Sequence, residues 1–123
     1  MAERRITGSV NEPGRVRNSP GRVDVWANFD GTGTPALTVS FNCSSIGDNG
    51  TGNHTVNFTK ALSSSSYCVI TNTFNVGALL EITQPGSLAT GSVVVRTFTA
   101  TSTTDTTKAA VDAASVYVAC YGN

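Results

Sequence analysis

Charge is scarce in this sequence. Asp, Glu, Lys and Arg make up 13% of its 123 residues, about half of the roughly 25% found in an ordinary soluble domain. That scarcity excludes a coiled coil, which is built from Ala, Glu, Lys, Leu and Arg in quantity. Long apolar runs are missing too, and none approaches the ~20 residues of a membrane span. Residues 1–10 contain arginines but no apolar h-region, so neither a secretion signal nor membrane insertion is expected. Histidine occurs once, and the three cysteines form no Cys-x-x-Cys pair. A zinc or copper centre would need more ligands at compatible spacing, so no metal or other cofactor is expected. What fills the chain instead is Thr (18), Ser (13) and Asn (10), a third of all residues. A single all-β domain fits this composition.

The charge that exists is segregated. Residues 1–22 hold Arg4, Arg5, Arg15, Arg17 and Arg22 against Glu3 and Glu12, a net of +3. Residues 23–123 hold three cations against six acids, a net of −3. The first segment also contains the turn dipeptides Pro13-Gly14 and Pro20-Gly21 and few apolar side chains, too few to order it by burial. It reads as a basic arm, 1–22, that docks on an acidic neighbour, with arginine suited to bidentate pairing with carboxylates. Without Lys clusters or interleaved aromatics the arm does not read as a nucleic-acid binder.

From residue 23 the hydrophobic period becomes two. Val23, Val25, Ala27 and Phe29 alternate with Asp24, Trp26, Asn28 and Asp30, and Leu37, Val39 and Phe41 alternate with Thr38, Ser40 and Asn42. Each pattern predicts a strand with one buried face. Gly47-Asp48-Asn49-Gly50-Thr51-Gly52 is the strongest turn signal, because Asn-Gly supplies the positive φ of tight hairpins. His54, Val56 and Phe58 then complete the hairpin. Further strands are expected at 67–74, 79–83, 92–99 and 115–121, with 63–66 and 99–107 as exposed polar connections and 104–114 as loop. About seven short strands predict an antiparallel β-sandwich, jelly-roll-like, or a small barrel spanning 23–123.

Catalytic chemistry finds little support. Asp48 and His54 could pair with a serine, but no Gly-x-Ser-x-Gly elbow is present. The Asp48–Gly52 stretch lacks the EF-hand spacing, since position 59 is Thr. Cys43, Cys68 and Cys120 read as reduced thiols acting as small hydrophobes. Trp26 lies out of phase with Val23, Val25 and Phe29, so it faces away from the core. An aromatic in that position is a subunit contact or a sugar-stacking platform, together with the hairpin residues Asp48, Asn49 and His54 as candidate oligomer or receptor contacts.

Two blocks carry a resemblance. Val25-Trp26-Ala27-Asn28-Phe29-Asp30-Gly31-Thr32-Gly33-Thr34, followed by Ser44-Ser45-Ile46-Gly47-Asp48-Asn49-Gly50-Thr51-Gly52-Asn53-His54-Thr55-Val56-Asn57-Phe58-Thr59, resembles a segment of small tail-fibre-like structural proteins of tailed bacteriophages. Cys43 stands where that pattern has Val, Gly47 where it has Thr, and Asn53-His54 where it has Asp-Tyr. The resemblance covers about residues 23–75 and transfers no catalytic residue. It implies a non-enzymatic virion protein, assembled in the host cytoplasm and often trimeric. Its partners would be other virion proteins and, at a tail tip, a host surface glycan. A capsid decoration protein or head fibre is the alternative location, and a free carbohydrate-binding module the alternative class.

Overall fold

In a computed structural model of the chain, the residues described are 22–74, 80–100 and 109–121. They form nine strands: β1 Val23–Asp30, β2 Ala36–Phe41, β3 Cys43–Asp48, β4 Asn53–Phe58, β5 Cys68–Phe74, β6 Leu80–Leu88, β7 Ser92–Ala100, β8 Ala109–Ala110 and β9 Ser115–Tyr121. One antiparallel sheet has the order β2-β1-β9-β5, the other β3-β4-β7-β6 with β8 added on β7. The expected all-β sandwich is therefore the architecture. Between the sheets lie Val25, Ala27, Phe29, Val116, Val118 and Cys120 from the first, and Val56, Phe58, Val93 and Val95 from the second, all buried. Each large apolar side chain so enclosed contributes about 1.5–3 kcal/mol.

The hairpin over residues 44–59 is made by β3 and β4, and β3 is a strand that alternation does not mark. The strand opposite β4 is β3, with Ile46 paired to Val56 and Asp48 to His54, whereas β2 belongs to the other sheet. One residue makes the crossing. Asn42 has φ 56°, a left-handed conformation that asparagine tolerates better than most residues. Its amide nitrogen donates to the carbonyls of Asp24 (3.2 Å) and Lys60 (3.1 Å), and its side-chain oxygen accepts from the Lys60 amide (2.8 Å). Ser44, Ser45 and Gly47 give β3 little intrinsic strand signal, so its pairing across the tight turn defines it.

Two bulges overturn the simple alternation. The register of β1 slips between Val23 and Val25 on β9. Asp24 is consequently buried and Val23 is 42% exposed, not a core residue. A second slip, between Asn28 and Phe29 against β2, leaves Leu37 packed on the core while Val39 and Phe41 turn outward, 50% and 53% exposed. One extra residue in a strand reverses the face of everything beyond it. In β6 the slip falls between Pro85 and Leu88, on an edge strand where a proline costs no ladder bond.

The far end of the sandwich is tied by backbone contacts. Gly52, at φ 64°, approaches Thr97 and Val111 so closely that a Cβ would lie 2.5 Å from the Thr97 carbonyl oxygen. The Thr97 amide donates to Gly52 (3.0 Å), the Val111 amide to Thr97 (3.2 Å), and the Gly52 amide to the Asp112 carboxylate (2.7 Å). The Thr97 hydroxyl donates to the Val111 carbonyl. At the other end, the buried Tyr67 hydroxyl reaches the carbonyls of Ala89 (2.8 Å) and Ser92 (3.0 Å), holding the β6–β7 turn.

Candidate functional site

The outer face of the four-stranded sheet is the distinctive surface. Paired residues of an antiparallel ladder share a face, so register alone assembles two rows across it. Phe41, Trp26, Ala119 and Ile70 form one row; Val39, Asn28, Tyr117 and Asn72 form the next. Trp26 is 39% exposed, and Val23, Val39, Phe41, Ile70, Phe74 and Tyr117 are exposed as well. These seven are all the exposed large hydrophobics among the described residues, and every one lies on this sheet.

At the centre, the small Ala119 sits between Trp26 and Ile70 and leaves a shallow depression of about 370 Å³. Tyr117 and the amides of Asn28 and Asn72 complete its rim. Among the described strand residues the face carries no charge except at one end, where Asp30 turns aside to cap its own loop. The Asp30 carboxylate accepts from the Thr32 hydroxyl (2.5 Å) and amide (2.8 Å), and these bonds hold its carboxyl below the ordinary carboxylate value.

The other sequence-derived candidates lie elsewhere. His54 is 1% exposed and points into the core, edge-on to Phe29 at a centroid distance of 5.5 Å. It is a core side chain, not a surface contact, because β4 alternates and positions 54, 56 and 58 all face inward. Neither ring nitrogen has a partner among the described residues. Asp48 and Asn49 are exposed on the β3–β4 turn of the opposite sheet, and neither is brought to Trp26. Their side chains serve the turn: Asp48 accepts from the Gly50 amide (2.9 Å), and the Asn49 amide donates to the Thr55 hydroxyl (2.7 Å).

Of the arm, Arg4, Arg5, Arg15 and Arg17 lie outside the described residues, while Arg22 pairs with Asp24 at 2.7 Å. Among the described residues no three His, Cys, Asp or Glu side chains converge as a metal site.

The three cysteines are free. Burial pushes the Cys120 thiol up to about 12, aided by Asp24 and the other two thiols nearby, and pushes the half-buried Cys43 up as well. Cys68 is exposed; a hydrogen bond with it pushes the Tyr121 hydroxyl up. At Cys43, Cys120 and Tyr121 these environments favour the protonated thiol or hydroxyl, which works against a nucleophilic role for those three groups.

Alternation marks Trp26 as outward-facing but assigns Val39 and Phe41 to the core and does not distinguish Ile70 and Phe74 as surface residues. A signal existed in β5 and β9: CVITNTF and SVYVACY carry large side chains in both phases, the mark of a strand covered on both sides. No family model matches the chain, and no curated protein or solved structure resembles it closely enough to count as a relative.

Proposed function

We propose that this chain is a non-enzymatic structural subunit of a bacteriophage virion, a tail-fibre-like or baseplate-tip component. In this reading the arginine arm attaches it to an acidic neighbour in the particle, and the exposed hairpin end reaches toward the host surface. The observation that carries the reading is the outer face of β2-β1-β9-β5. Seven large apolar side chains on one sheet face, with no charge among them, form a surface that soluble monomers rarely leave open. A chain so built is a part to be covered within an assembly. The resemblance of residues 25–34 and 44–59 to tail-fibre-like proteins supports a virion as that assembly, and the +3 arm on a −3 body supports attachment by charge.

Immunogold electron microscopy of purified particles, with antibody against this chain, tests the proposal. Label at the tail tip is the expected result. Label over the head moves the protein to the capsid surface as a decoration protein, with the arm as its anchor. Particles without label overturn the virion role.

A further inference from the structure

We propose that the outer face of β2-β1-β9-β5 is closed by the same face of another copy of this chain. The inference rests on the reading of that face as an assembly surface and names its occupant. The first argument is area. The seven exposed side chains present together on the order of 600 Å², and the intervening Asn28, Asn72 and Ala119 bring the face near the roughly 800 Å² per partner of a stable interface.

The second argument is self-complementarity. A contact between like surfaces needs projections and a recess on one patch. This patch has both: Trp26 and Ile70 stand above the Ala119 depression that they flank. Two uncharged faces also meet without like-charge repulsion, and aromatic anchors such as Trp26 and Tyr117 are the residues that dominate such contacts.

Other occupants fit less well. The chain's own residues 1–21 offer only Met1, Ile6, Val10 and Val16 as large apolar side chains, among four arginines. A glycan would use the Trp26–Tyr117 groove with Asn28 and Asn72, but it would leave Val23, Phe41 and Phe74 outside the groove uncovered. An unrelated protein would need an apolar face of its own, which this chain already supplies.

Sedimentation of the purified full chain tests the inference, with Ile70→Lys and Phe41→Arg as variants. Both positions are more than half exposed, so the variants keep the fold, which a thermal melt verifies. The expected result is a wild type sedimenting as two chains, with each variant associating at least about tenfold more weakly. Asn57→Lys, on the outer face of the other sheet, should sediment as wild type.

A wild type that is monomeric at about 100 μM, far above the Kd expected of an interface this size, overturns the second-copy inference. If Ile70→Lys is then lost from particles, the face still serves assembly, through a different virion protein. If instead the monomer binds a glycan array and Ile70→Lys does not, the occupant is a sugar. Association unchanged in both variants, with normal entry into particles, overturns the inference and the assembly reading of the face together.

Discussion

The two sheets share a core but present opposite outer surfaces. On the five-stranded sheet, Ser45, Asn57, Thr55, Asn53, Ser92, Arg96 and Gln84 alternate with inward-facing Val56, Phe58, Val93 and Val95, and the apolar Val94, Ile82 and Phe98 that share this outer face are only partly exposed. Its polar groups bond to one another: the Asn57 amide donates to the Ser45 hydroxyl at 3.1 Å, and the Ser44 hydroxyl to the Asn57 carbonyl at 3.2 Å. The four-stranded sheet is apolar inside and apolar outside. One sheet is finished by solvent, with short hydroxyl and amide side chains doing the work usually left to charge. The other has the composition of a middle layer with one layer missing. Low overall charge thus has two meanings in one small domain, and only the face on which a residue sits separates them.

That contrast can be broken by substitution. The largest effect belongs to the shared core: Phe29→Ala should cost about 3–5 kcal/mol in urea denaturation. Phe41→Ala, on the same sheet but facing outward, should cost less than about 0.5 kcal/mol at concentrations where the chain is monomeric. Comparable costs would mean that the outer face is packed within a single chain.

Alkaline pH should act next. Cys120 and Tyr67 are both pushed up to about 12, chiefly by burial. The folded state keeps these protons while the unfolded chain releases them, Cys from about pH 9 and Tyr from about pH 10. Stability should therefore be full below pH 9 and fall as pH rises toward 12. Cys120→Val should flatten that slope in a series of melts. Thiol reagents should label Cys68 readily and Cys120 only on unfolding.

Smaller effects sharpen the contrast between the two inner faces. Thr97→Val removes the hydroxyl that tethers Val111 to the five-stranded sheet and should cost about 1–2 kcal/mol. His54→Leu removes two buried nitrogens that have no partner among the described residues and should raise stability by about 1 kcal/mol. A loss of stability there would show that the ring is hydrogen-bonded. At the bottom of the scale, Asn57→Lys should stay within about 0.5 kcal/mol of wild type.

Composition and alternation by themselves determined that this is an all-β chain, that β1 and β4 bury Val25, Ala27, Phe29, Val56 and Phe58, that residues 49–52 turn, and that Trp26 faces outward. These follow from the period of a pleated strand and from the φ angles that Asn-Gly allows, both local properties. Tertiary structure decided the rest. The bulges at Asp24 and Thr38 are invisible in alternation, yet they turn Val23, Val39 and Phe41 from core to surface. Asn42, the one left-handed residue other than glycine among those described, sends β2 and β3 to different sheets. His54, which the sequence leaves beside an exposed turn, is enclosed because the opposite sheet lays Phe29 against it. Whether an apolar residue is core or contact depends on which strand lies beside it and on what covers the far side of the sheet. Long-range pairing sets the first and a second layer sets the second, and no window of neighbouring residues contains either.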